Sequence, residues 1–73
     1  MEQYNYEDEY RGQKRKFLIL SGEENTIYRV FSEARFIGSI SHEIDNEKVI
    51  WKTEYNILKP IATKIGEWIE NSN

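Results

Sequence analysis

Seventy-three residues without a cysteine leave room for one domain and exclude both a disulfide framework and a thiolate zinc site. Hydrophobic residues make up 38% of the chain, aromatic ones 14% and charged ones 32%, and the aromatic share argues against global disorder. The net charge of −3 argues against a dedicated duplex-DNA binder, whose surface is normally basic.

Residues 1–16 contain no aliphatic side chain except that of Met1. Glu2, Glu7, Asp8 and Glu9 precede Arg11, Lys14, Arg15 and Lys16, so the segment is neutral and the whole net charge of −3 resides in residues 17–73. Lacking an apolar period, residues 1–15 are expected to form a mobile tail ahead of a single domain spanning 16–73. The alternation of Tyr4, Tyr6, Asp8 and Tyr10 makes a strand at a sheet edge the alternative.

The run Phe17, Leu18, Ile19, Leu20 predicts a strand, closed by a turn-type cluster over 21–25. Ile27, Tyr28, Val30 and Phe31 predict a second strand within 26–32 and hence a hairpin. The chain must turn again near Glu33 and Ala34, although no Gly or Asn marks the place. Residues 35–44 alternate, with Phe36, Gly38, Ile40, His42 and Ile44 on one side and Ile37, Ser39 and Ser41 on the other. Gly38 within that run predicts a bulge or a close approach, with the helix as the approaching element. A polar reversal over 45–48 leads to a fourth strand over 49–53.

Ile57, Leu58, Ile61, Ala62, Ile65, Trp68 and Ile69 recur at helical spacing. Proline is favoured at a first helical position and costs about 3 kcal/mol in an interior, so Pro60 is expected to start the main helix after a separate lead-in over 54–58. Trp68 then belongs to the core-facing stripe, whereas the facing of Trp51 depends on strand parity. Gly66 inside the helix predicts a close contact, with Gly38 as its counterpart across the layers. The fold class is α+β: a four-stranded antiparallel meander followed by one C-terminal helix packed on one face, β-β-β-β-α.

One helix covers one face. Whichever parity faces it, the other set keeps apolar members, and Leu18, Leu20, Tyr28, Val30, Ile37 and Ile50 are the candidate interface residues. A chain this short buries only about 60% of the surface its unfolded form exposes, which adds weight to self-association. The sequence therefore predicts a small protein-binding or regulatory module that pairs with itself as a homodimer, or with another protein, through the uncovered face or a sheet edge. The alternative is a single-stranded nucleic-acid binder that uses Arg11, Lys14, Arg15, Lys16 and Tyr10 with the strand aromatics, against which the acidity of residues 17–73 counts. A small inhibitor of a larger target is the third reading.

No enzyme is predicted, and no catalytic, cofactor or metal site is assigned. His42 is the only histidine, and it reads as a strand residue near a sheet end, because hard-ion sites carry spacing signatures that are absent here. The apolar run over 17–20 is far too short to span a bilayer. The N-terminus has acidic residues where a secretory signal would be basic, so the expected compartment is the cytoplasm.

Overall fold

Three two-residue reversals set the architecture. In the computed structural model, which describes residues 2–22 and 26–72, φ is positive at Arg11 (52°) and Gly12 (79°), at Glu33 (52°) and Ala34 (65°), and at Asn46 (50°) and Glu47 (65°). Positive φ at both central residues marks the type I′ turn, whose twist matches that of paired strands. These turns join β1 (Gln3–Tyr10) to β2 (Gln13–Ser21), β3 (Ile27–Ser32) to β4 (Arg35–Asp45), and β4 to β5 (Lys48–Lys52). The strands pair in sequence order, every pair antiparallel, and α1 (Ala62–Ser72) packs on one face.

The α+β class and the antiparallel meander are as expected, but the sheet has five strands rather than four. The difference lies in the N-terminal segment expected to be a tail, which supplies β1 and the start of β2. Two things hold it. Tyr4 and Tyr6 are buried, the first packing on Tyr28 and the second on Phe17. The register also sets Glu7, Asp8 and Glu9 opposite Lys16, Arg15 and Lys14, so charge blocks that cancel along the chain also attract across the hairpin. Of the turn cluster expected at 21–25, Ser21 is the last residue of β2, the Gly22 N–H donates to the Ile27 carbonyl at 3.4 Å, and residues 23–25 lie outside the described residues.

Phe17, Ile19, Tyr28, Val30, Ile40 and Trp51 point toward the helix and meet Leu58, Ile61, Ala62, Ile65 and Ile69 in the core. Val30 pairs with Gly38 and Phe31 with Phe36, so Ile37 is the extra residue of a bulge, as Gly38 suggested. The element approaching Gly38 is the lead-in rather than the helix: at φ 152°, a Cβ there would lie 2.7 Å from the Tyr55 ring and 2.8 Å from Leu58 Cδ1. Gly66 instead lets α1 settle against the indole of Trp51, so the two glycines serve separate contacts.

The lead-in is a sequence of turns in which the Leu58 N–H donates to the Tyr55 carbonyl and the Ala62 N–H to the Leu58 carbonyl. Pro60, which has no N–H to give, lies in the last turn of this lead-in, and α1 starts two residues later than expected, at Ala62. The tryptophans correct the expected helix stripe. Trp51 is in the core, whereas Trp68 is 45% exposed and touches Tyr6 edge-on at 6.2 Å. The helix phase is set by Ala62, Ile65, Gly66 and Ile69, which leaves Trp68 at the border beside β1.

Candidate functional site: the open face of the sheet

Side chains directly opposite in an antiparallel pair share a face, so the registers assign the uncovered face. Leu18, Phe31 and Phe36 form one row across β2, β3 and β4, with the two phenyl rings 5.6 Å apart in an edge-on contact. The next row is Leu20, Arg29 and Ser39, followed by Ile27, Ser41 and Lys52. Ile50 lies opposite Glu43. Ile27 is 48% exposed, Phe36 46% and Ile50 40%. Leu18, Leu20 and Phe31 are half-buried. These apolar side chains lie on a face with no second layer over it among the described residues, although the Tyr55 ring of the lead-in meets Phe36 edge-on at 6.1 Å.

Of the six residues singled out from sequence, Leu18, Leu20 and Ile50 lie on this face. Tyr28 and Val30 point into the core, and Ile37 packs partly against it. The face also holds Ile27 and Phe31, which alternation groups on the side of β3 opposite Tyr28 and Val30, and Phe36, which alternation alone did not place with them. The bulge at Ile37 shifts parity by one residue, putting Phe36 opposite Phe31 although Gly38 and Ile40 face the helix. A glycine inside an alternating run was the available signal.

The charges on this face are mixed. Among the described residues, the strand registers give it four carboxylates (Glu7, Glu9, Glu43, Asp45) and five cations (Lys14, Lys16, Arg29, Lys48, Lys52). The chain as a whole carries −3, so the acidity lies elsewhere. Lys52 Nζ sits 3.0 Å from Glu43 Oε2 in an exposed pair, of the kind worth about 0.2–1 kcal/mol.

The basic segment divides between the two faces and a turn. Arg11 sits in the β1–β2 turn with its guanidinium 5.1 Å from the Tyr10 ring centre. Lys14 and Lys16 lie on the open face opposite Glu9 and Glu7. Arg15 lies on the helix side, where it donates through Nε and Nη2 to the two oxygens of Asp8 at 2.8 and 2.7 Å and covers the rings of Tyr10 and Phe17. The hydrogen bond from Arg15 holds the Asp8 carboxyl below the usual carboxylate range. Burial, then the charge of Asp8, raises the Tyr6 hydroxyl above its ordinary value, and that hydroxyl donates to Asp8 at 3.4 Å.

On the helix side, the rings of His42 and Trp51 lie 4.9 Å apart. The buried His42 Nδ1 and Trp51 Nε1 have no hydrogen-bond partner among the described residues. Also among the described residues, no three of His, Asp and Glu gather where a metal ion could sit, and no helix is long and apolar enough to cross a membrane. No family model, curated protein or solved structure matches the chain.

Proposed function

We propose that this protein is a small protein-binding module that works as a homodimer, two copies meeting through the open faces of their sheets. The observation that carries this reading is the continuous apolar row of Leu18, Phe31 and Phe36, with Leu20 in the next row, Ile27 in the row after that and Ile50 beyond it, on a face over which no second layer lies among the described residues. A second copy suits this face because its four carboxylates and five cations are interspersed. A near-neutral mixed surface does not repel its own copy, as the rest of an acidic chain would. Self-association also supplies burial that a domain of this length lacks.

The size of the face sets the expected strength. Five strands about 4.8 Å apart, each presenting about 20 Å of length, give a flat area of roughly 20 by 20 Å. That is about half of the roughly 800 Å² each partner loses in a standard interface, so the dimer should be of micromolar rather than nanomolar strength. Sedimentation velocity from low micromolar to sub-millimolar concentration should show the monomer giving way to the dimer. Phe36→Glu, at a position 46% exposed, should hold the protein monomeric with its circular dichroism unchanged. A wild-type chain that stays monomeric at sub-millimolar concentration overturns the reading.

A further inference from the structure

β2 outruns its partner on the β3 side. β1 pairs with it from Gln13 to Leu20, but β3 meets it only from Leu18 to Ser21. Residues 13–17 thus have a strand on one side alone. The direction of their backbone groups follows from the alternation of an antiparallel pair. The Ser21 N–H donates to the Glu2 carbonyl at 3.0 Å on the β1 side, and the Gly22 N–H donates to the Ile27 carbonyl on the β3 side. Odd positions of β2 therefore serve β1 and even positions face β3. At Lys14 and Lys16 the even positions face no strand among the described residues, leaving the N–H and C=O of both residues in the plane of the sheet with no ladder partner there.

A cleft of about 690 Å³ runs along this stretch, bounded by residues 13–17 and by Ser32 and Glu33, with Phe17, Ile37, Ile57 and Leu58 among its apolar walls. The geometry points to a docking site for an extended segment of another polypeptide, added to β2 as a strand and alternating acidic with apolar residues. The two faces of such a strand meet different surroundings. On the open side its side chains stand beside Lys14 and Lys16, where a carboxylate is favoured across strands. On the helix side they meet Phe17, Ile37 and Ile57, where an apolar group is favoured. A second copy of this edge does not suit it: pairing residues 13–17 with themselves about a two-fold axis sets lysine against lysine and Arg15 against its own copy.

The test is a titration of the isotope-labelled full chain with an end-capped peptide alternating glutamate and valine, followed by NMR. The amides of Lys14 and Lys16 should shift and become protected from hydrogen exchange, with accompanying shifts at Ile37 and Ile57. Binding should weaken as salt is raised, and a lysine–valine peptide should not bind. Lys16→Pro removes an N–H that points away from β1, a position where proline is tolerated, and should weaken binding on the order of tenfold. Ile57→Ser, at a position 64% exposed, should also weaken binding while leaving the dimer of the open face unchanged, so failures of the two proposals are distinguishable. Equal binding of the lysine peptide, shifts confined to the cleft side chains without protection at Lys14 and Lys16, or no binding of the glutamate peptide at millimolar concentration overturns the inference.

Discussion

At Gly66 the helix and the sheet meet with no room for a methyl group. A Cβ there would lie 2.1–2.3 Å from three atoms of the Trp51 indole. Tyr28 and His42 pack on that same ring, with centres 5.3 and 4.9 Å away, so it cannot easily retreat. In an exposed helix, glycine to alanine gains about 1 kcal/mol, whereas forcing extra volume into a packed core costs about 1–3 kcal/mol. Packing should win: Gly66→Ala is expected to lower the urea midpoint, with a net loss of up to about 2 kcal/mol. A variant as stable as wild type would mean that the indole has free space to move into. Asp8 offers a test by pH. Because its carboxyl is held low by Arg15, its contribution is present above its unfolded pKa of about 3.9 and fades as pH falls through the lower folded value. Asp8→Asn should therefore cost stability at neutral pH and little in strong acid. The loss should be at most about 1 kcal/mol, because the Arg15 side chain is 32% exposed and solvent screens the pair. An equal loss at both pH values would assign the effect to shape rather than charge.

Among the elements, the turns leave the most stability to be gained. Ala34 and Glu47 both stand at φ 65°, where an L-residue other than glycine is strained by about 1 kcal/mol. Asn46 followed by glycine would be the preferred type I′ pair. Glu47→Gly should thus stabilise by about 1 kcal/mol, which raises the melting temperature of a domain this small by about 4–8 °C. An unchanged or lowered melting temperature would show that the charge of Glu47 supports the fold in some other way. The strands over 17–20, 26–32, 35–44 and 49–53 were legible because short apolar runs rich in β-branched and aromatic residues stand between polar turns, with a clear alternation over 35–44. β1 was legible only as the alternative to a tail, through the alternation of Tyr4, Tyr6, Asp8 and Tyr10, because its inward residues are tyrosines set among carboxylates and what orders them is pairing across Arg11 and Gly12 rather than any local preference. The sign of that pairing was nevertheless present in the sequence, as an acidic block and a basic block of equal size on either side of a glycine. On the open face, Leu18, Leu20 and Ile50 were named from sequence; Ile27 and Phe31 share one side of β3 by simple alternation and needed only the facing of that strand, whereas Phe36 needed the position of the bulge, which a one-residue slip in parity hides.

At the scale of the whole molecule, a thin stability margin and an open apolar face bear on the same measurement. If folded monomers associate and unfolded ones do not, association stabilises the native state by mass action. With free monomer at ten times the dissociation constant the gain is about 1.4 kcal/mol, a rise of about 6–11 °C at this length. The melting temperature should therefore be flat at low concentration and climb above a break that coincides with the monomer–dimer transition seen in sedimentation. Phe36→Glu should remove the climb and leave the flat part in place, because that side chain is already 46% exposed in the single chain. Raising the ionic strength should move the break little, since carboxylates and cations are nearly balanced on the open face and their mutual attractions are short-ranged. That last response separates the face from the β2 edge, where binding of an acidic strand rests on Lys14 and Lys16 and should weaken with salt. A melting temperature that ignores concentration while sedimentation reports dimers would assign the association to contacts that unfolded chains also make, and the open face would lose its claim to be the interface.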